Sequence, residues 1–526
     1  MRAAHLACVF LALFGGISSR VEADVLGHAL AAADDQPGGT PPPQQSPDLT
    51  VWAGEARETT LPELLQLSVQ QAPALQSAKI DIAVAEARIQ ETWARNDWFV
   101  QAKLAGSRTT SSRLGVSTTF GATADVSRLL PTGGTVALHA DSTYSKTTDS
   151  IGLFLDGNSW VDDIGASITQ PLLKGRGRQL FDADEQKATL ARDVSVLEKR
   201  LVAIQTVQAV ISAYWDLVLA ERTVAISQAS LDLARERLRV TQIGADGGKI
   251  PRSEIPAVLQ IIATREEDVL SGELGVLDRS IALRRAAGMP IGAGELGLRV
   301  STDLETKDQG IDLGQLVERA YSASPELAEV AKQTDSATID IAVTENGLLP
   351  QLDAALSLGP TGSDFSIAGT PPTDASFGTA WANLAKFKAL AINGSLTFSR
   401  SIEQRDVRGR AREQREAKRK LVVNAFDLRA QLAQTMTRAV AQIELARRRV
   451  TLSQQAIDLA NQNIKIETDR FNLGKSTNFD VLNRQEDLRQ AELRKTQALI
   501  DWHKAETVVQ ALTGDILPMY GIALDP

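Results

Sequence analysis

The feature that most constrains this chain is an internal duplication built on two very long heptad runs. At an offset of 226 residues, Leu231-Asp232-Leu233-Ala234 falls on Ile457-Asp458-Leu459-Ala460. Ser227-Gln228 falls on Ser453-Gln454, Gly248-Lys249 on Gly474-Lys475, and Gly288 on Gly514. The segments upstream align at an offset of 252, with Leu61, Leu64 and Pro73 meeting Leu313, Leu316 and Pro325. The offsets differ because the middle of the first copy is longer. A chain of 526 residues would by length alone suggest several globular domains. A repeat of this kind overrides that prior. It divides the chain into a first copy over 61–288, a linker over 289–312, a second copy over 313–514 and a tail over 515–526.

Each copy reads in the same order. A half-length helical segment (61–97, 313–348) leads into a β-patterned stretch (98–172, 349–399). A very long helix (178–245, 402–472) follows, then a turn and a second half-length helix (252–287, 478–513). In the long helices Val210, Leu217, Val224, Leu231 and Leu238 recur every seven residues, as do Met436, Ile443, Val450, Ile457, Ile464 and Phe471. A sustained heptad keeps one stripe against a partner and implies supercoiling. Small residues beside the seam (Ala220, Ser227, Ala234; Ala446, Ser453, Ala460) let helices approach closely. A 68-residue helix is roughly 100 Å long, so two half-helices stacked end to end could flank one full helix. An ordinary long coiled coil explains the heptads equally well.

The β-patterned stretches alternate. Leu390, Ile392, Leu396 and Phe398 share one face of 388–399, Leu352, Ala354, Leu356 and Leu358 one face of 351–358, and Ile164, Ala166, Ile168 and Leu172 one face of 161–172. Runs of this length suit a tilted membrane strand, with Trp98, Phe99 and Trp160 at the run ends as belt residues. An edge-protected hairpin on a soluble domain is the competing reading. Ser107 to Ser112 and Gly359 to Asp364 read as extracellular loops. An additional hairpin-like pair lies near 117–128 and 134–144 around Pro131-Thr132-Gly133-Gly134.

Met1 to Ala23 has the layout of a secretory signal, and 24–60 reads as a flexible Pro/Gly/Gln-rich leader. The single cysteine, Cys8, lies within the signal, so the mature chain has no thiol. Mean hydropathy is -0.11, too polar for a bundle of membrane helices, and the signal is the one apolar run of note. The net charge of -9 argues against nucleic acid as a partner. The basic stretch Arg405, Arg408, Arg410, Arg412, Arg415, Lys418, Arg419 and Lys420 is interleaved with glutamates. It reads as a solvated helix face or a contact with lipid phosphates. No metal-ligand spacing, nucleotide loop or catalytic constellation is present, so neither a cofactor nor an enzyme activity is expected.

With these elements in place, the chain resembles the TolC-type outer-membrane efflux proteins (outer membrane factors). The resemblance rests on Arg470-Phe471-Asn472-Leu473-Gly474 followed by Asp480-Val481-Leu482, on Gln170-Pro171-Leu172-Leu173, on Leu348-Leu349-Pro350-Gln351-Leu352, and on the duplication itself. It implies a mainly α protein with membrane β: a homotrimer with an α-barrel tunnel, internally duplicated, and a shared 12-stranded outer-membrane β-barrel to which each chain gives four strands. It implies an exit duct of a tripartite efflux or type I secretion system in the outer membrane of a Gram-negative bacterium. The expected partners are a periplasmic adaptor, an inner-membrane pump of RND, ABC or MFS type, and outer-membrane lipid. A periplasmic coiled-coil adaptor or scaffold is the alternative.

The resemblance places the periplasmic constriction at Asp480 and Glu254, with Asn483 where some members carry a second acid. Phe471 and Ser476 stand where a gate tyrosine and arginine can occur. The turns Gly248, Lys249, Gly474, Lys475, Ser476 and Thr477 are the expected adaptor contacts. Read from chemistry alone, Asp480 and Glu254 are equally well helix-start carboxylates, and the glycines ordinary helix-reversal residues.

Overall fold

A computed structural model describes residues 57–111, 115–148, 157–291, 297–300, 310, 312–366 and 374–524. The expected signal and most of the leader lie outside these residues. The expected leader ends earlier than 60: β1 (Arg57–Glu58) pairs in parallel with β6 (Leu298–Arg299).

The first half-length segment is two helices, α1 (Leu61–Gln71) and α2 (Pro73–Thr92), followed by a 3-10 turn over Trp93–Asn96. The second is likewise α6 (Leu313–Ala323) and α7 (Pro325–Asn346). Both break where a proline occupies the first helical position. Proline lacks the N–H that a continuous helix needs and forces the preceding residue to be extended. The break repeats at offset 252, with Ala72 N–H donating to Ser68 and Ser324 N–H to Ala320.

The long helices are α4 (Ala183–Asp246), preceded by the single turn α3 (Arg178–Phe181), and α9 (Arg405–Asn472). The returning helices are α5 (Glu254–Ala286) and α10 (Asn478–Leu512), and a short α11 (Ile516–Met519) ends the chain. Among the described residues, α4 packs against α2 and α7 in one half of its length and against α5 and α10 in the other. The other long helix, α9, packs against α7 and then α10. Each half is therefore four helices wide. One flank is α2 continued by α5; the other is α9 throughout.

The main core sits at the rod's middle, where the half-helices meet. Val207, Val210, Ile211, Tyr214 and Leu217 of α4 are sealed by Leu64, Leu75, Leu283, Leu298, Ile500 and Ile516. One stretch of α4 is long and apolar enough to cross a membrane, but half of that stretch is buried inside the protein. It is a core helix, an apolar run that the sequence reading overlooked. His503 stacks on Trp215 at 4.2 Å, and Lys504 donates to Asp216 at 2.6 Å, tying α10 to α4. The small seam residues Ser227, Ala234, Ala446, Ser453 and Ala460 are buried.

All strands beyond the β1/β6 pair form one antiparallel sheet in the order β2-β3-β4-β5-β7-β8. The strands are β2 (Phe99–Ser111), β3 (Gly115–Leu129), β4 (Thr135–Thr148), β5 (Gly157–Pro171), β7 (Gln351–Phe365) and β8 (Ala389–Ser399). This corrects the expected strand count. Among the described residues the first copy carries four strands where a hairpin over 98–172 was expected, and the sheet has six strands rather than four. Two expected loops are also strand: Ser107–Ser111 pairs with β3, and Gly359–Asp364 lies within β7. Glycine misled the reading because it serves packing here. A Cβ at Gly359 would lie 2.2 Å from the Ile164 carbonyl oxygen, and one at Gly362 would lie 2.1 Å from that of Ala380. The connection between β7 and β8 includes α8 (Phe377–Ala385).

Candidate functional site

In the part of the sheet nearer the long helices the two faces are chemically distinct, and register makes each continuous across all six strands; farther out the first face also carries Ser142, which donates to Asp162 at 2.6 Å. Val100↔Val126↔Leu138↔Ala166↔Leu358↔Ile392 is one row of the first face. Leu104, Phe120, Leu356, Leu390 and Leu396 extend that face, and Leu104 is 75% and Leu396 66% exposed. A monomeric soluble protein does not leave an apolar surface of this extent in water. The opposite face carries Gln101, Thr123, Thr143, Ser167, Ser357 and Asn393. His139 Nε2 lies 2.7 Å from Asp163 on this polar face, above Gly165, where a Cβ would strike the imidazole. Apolar-out, polar-in alternation is the signature of a membrane barrel wall.

Away from the helices, α8 lies over the apolar face at β5 and β7, with Trp160, Tyr144, Phe377 and Trp381 in successive ring contacts. These ring contacts lie at the sheet end away from the long helices. The sequence reading placed Trp160 there. It missed the helix because α8 is short and lies between turn-like residues.

At the far end of the rod, both turns are built alike. Gly248 and Gly474 have φ of +67° and +69°, a left-handed conformation open to glycine at little cost. Lys249 N–H donates to Gly244 and Lys475 N–H to Arg470, closing both long helices with the same six-residue bond.

The carboxylates beyond the turns differ. Asp480 is the third residue of α10 and completes a capping box: Thr477 Oγ1 and N–H donate to its Oδ2 at 2.7 and 3.1 Å, and Asp480 N–H returns to Thr477 Oγ1. The Thr477 hydroxyl first, then the Thr477 N–H and Ser476, hold this carboxyl below its usual pKa. Ser476 Oγ also donates to Glu467 at 2.5 Å.

In the first copy Pro251 shifts the helix start, so Glu254 is the first residue of α5 and cannot form such a box. Its carboxylate instead accepts from Asn478 Nδ2 at 2.5 Å and from Asn478 N–H at 3.3 Å. It thereby bonds the first copy to the start of α10. Asn478 was missed by sequence reasoning because the bond crosses 224 positions. Asn483 is exposed one helical turn after Asp480. Phe471 lies under the guanidinium of Arg237, 5.0 Å from ring centroid to carbon, a second bond between copies at this end.

Residues 316–515 match the family model described as outer membrane efflux protein. The match covers most of the second copy, from Leu316 to Asp515. That description places the matched proteins in the outer membrane, in efflux. Nodulation protein T of Rhizobium leguminosarum bv. trifolii is 19% identical over 377 residues, covering 71% of this chain and 73% of that protein. Two solved channels share the fold. CusC has a TM-score of 0.62 at 13% identity, covering 92% of this chain and 99% of its own. The outer membrane protein VceC from Vibrio cholerae has a TM-score of 0.61 at 13% identity, covering 86% and 96%. The efflux-family fold thus accounts for both the duplicated helices and the sheet at one end of them.

Proposed function

We propose that three copies of this chain close into a homotrimeric exit duct of a tripartite efflux or type I secretion system. The observation that carries this reading is the sheet: an apolar face six strands wide, with one unpaired edge on β2 and one on β8. Lipid tolerates no open edge, so β2 of one copy must meet β8 of the next around a closed barrel.

The helices support the same closure. Leu445, Leu452, Leu459 and Ile466 form a second heptad stripe along α9 and are exposed, while Leu259, Leu270 and Leu274 are exposed on α5 at the opposite flank. Joining these flanks buries both stripes and encloses a tunnel twelve helices around. The adaptor or scaffold alternative leaves the apolar sheet face unexplained.

In such a trimer the turns converge on the axis, and Asp480, Glu254 and Asn483 recur three times around it as a cation-attracting constriction. The glycine turns, with Lys249, Lys475, Ser476 and Thr477, face the periplasm, where they fit the tips of an adaptor. An inner-membrane pump supplies the energy, and the duct needs no cofactor. Purified protein should run as a heat-modifiable trimer from outer-membrane fractions and conduct ions in planar bilayers. Asp480→Ala should weaken block by divalent cations. A soluble periplasmic monomer without conductance defeats the duct, while unchanged block removes Asp480 from the constriction alone.

A further inference from the structure

The strands that distinguish the first copy from the second occupy the middle of the sheet. Strands β3 and β4 lie between β2 and β5. Their apolar residues continue the lipid-facing rows: Phe120 beside Tyr144, Ala122 beside Leu104, and Leu138 beside Ala166. Their other face is polar, through Thr119, Thr123 and Thr143. The turn that joins them sits at the helical end and is bonded in place. Thr132 Oγ1 donates to Gln170 at 2.7 Å, and Gly177 N–H donates to the Thr132 carbonyl.

The pairs Ser111↔Gly115 and Thr147↔Gly157 close both ends of this strand pair at the sheet end away from the helices. Residues 115–148 are therefore a complete up-and-down pair whose removal would leave β2 and β5 as a plain hairpin, like β7 and β8.

We propose that residues 115–148 are a pair of barrel staves whose role is to widen the outer-membrane exit for large hydrated solutes. The proposal rests on the trimeric barrel reading above. Three chains of six strands give eighteen, and barrel diameter grows roughly linearly with strand number at a given tilt, so the bore is about 1.5-fold that of a twelve-stranded barrel. Barrels of 16–18 strands enclose an open aqueous channel. Much of the lining is short (Thr119, Gly121, Thr123, Thr143, Ser167, Ser357), and the longer residues among it, Gln101, Lys103 and His139, are polar. The outer exit then ceases to be a size filter, and selection falls to the far end of the rods.

The mature chain's lack of cysteine makes the test direct. Single cysteines are placed at Phe120→Cys and Leu138→Cys on the added strands, and at Leu396→Cys on β8 as the reference, each carrying a fluorophore in reconstituted full-length protein. Quenchers on lipid acyl chains should reach all three, and a water-soluble quencher none. In intact cells, Thr123→Cys on the polar face should react with externally added maleimide–polyethylene glycols. The size cut-off should lie about 1.5-fold higher in probe radius than for Ser357→Cys in a chain lacking 115–148.

If lipid reaches Leu396→Cys but water reaches Phe120→Cys and Leu138→Cys, the staves are overturned and the duct stands. If water reaches all three, the barrel reading itself falls. An equal cut-off with and without 115–148 overturns the widening. Should the shortened chain not assemble, the quenching pattern in the full chain still decides whether the added strands are staves.

Discussion

The two repeats agree at the C-terminal ends of their long and returning helices and diverge most between the helices. Met289 N–H donates to Arg284 as Asp515 N–H donates to Gln510, with Gly288 and Gly514 both at positive φ. The rod turns match in the same way. Yet α2 and α4 of the first copy, which pack side by side, feed strands three spacings apart, about 14 Å. In the second copy α7 and α9, equally close, feed adjacent strands about 5 Å apart. Trp93 Nε1 donates to Glu185 Oε1 at 3.0 Å, and Arg95 bonds the Phe181 carbonyl, holding the first copy's helix ends together while its strands splay. The lesson is that the helical scaffold fixes where strands start and stop, and leaves their number free.

The sharpest way to break this comparison is to place a charge on the apolar face in each repeat. Arginine near the bilayer midplane of a barrel costs about 2–4 kcal/mol per site, and a trimer carries each substitution three times. Leu396→Arg on β8 and Ala122→Arg on β3 should both abolish trimers in outer-membrane fractions. A loss confined to Leu396→Arg would take the first copy's added strands out of lipid.

The cores offer a smaller contrast. Leu217 and Ile443 are equivalent at offset 226, but Leu217 lies in the large equatorial core and Ile443 in a small cluster with Ala446, Trp502 and Ala505. Truncation to alanine should cost about 4 kcal/mol at Leu217 and about 2 kcal/mol at Ile443, read as the loss of thermal stability of the helical signal. Equal losses would mean that the small cluster is extended by a neighbouring protomer.

Much of this was legible in the sequence because it is periodic. Heptads located α4 and α9 within a few residues, and the two offsets located the proline breaks and glycine turns. Alternation found β5, β7 and β8 and assigned their faces. What failed was everything that depends on non-local contact. Gly359 and Gly362 read as turn residues because the close approach of Ile164 and Ala380 cannot be seen in sequence. The pair at 115–148 was visible as a hairpin, but its place in the middle of the sheet was not. At the rod end the carboxylates were found, yet the partner of Glu254 was not, since Asn478 follows a turn in the other repeat.

A third contrast is electrostatic. Glu221 on α4 is equivalent to Arg447 on α9. Burial pushes the Glu221 carboxyl up to about 7, against the opposing hydrogen bond from Val300 N–H and the charge of Arg299. A carboxyl raised in the folded state favours the protonated form there. Its contribution is fully present below the unfolded value of about 4.3 and is lost as pH rises through about 7. Glu221→Gln should therefore raise the melting temperature at pH 8 relative to the parent and flatten its dependence between pH 5 and 8. The gain is on the order of 1–2 kcal/mol once partial exposure is allowed for. No such slope change should follow Arg447→Gln, because arginine does not titrate in this range.

The smallest effects belong to the rod turns, where the repeats are alike in backbone and unlike in side chains. Nothing lies within 4 Å of a Cβ built on Gly248 or Gly474, so alanine at either should cost only the left-handed backbone strain, about 1–2 kcal/mol, and by the same amount. Thr477→Ala removes a capping box and should cost about 1 kcal/mol, felt on the amides at the start of α10. Its counterpart in the first copy has no such box to lose, and Asn478→Ala should instead loosen both starts together, because it frees Glu254. Hydrogen exchange on the amides of 248–256 and 474–482 reads all of these. Unequal costs for the two glycines, or an Asn478→Ala effect confined to α10, would show that the two turns at this end move independently. The interrepeat bond would then hold nothing together.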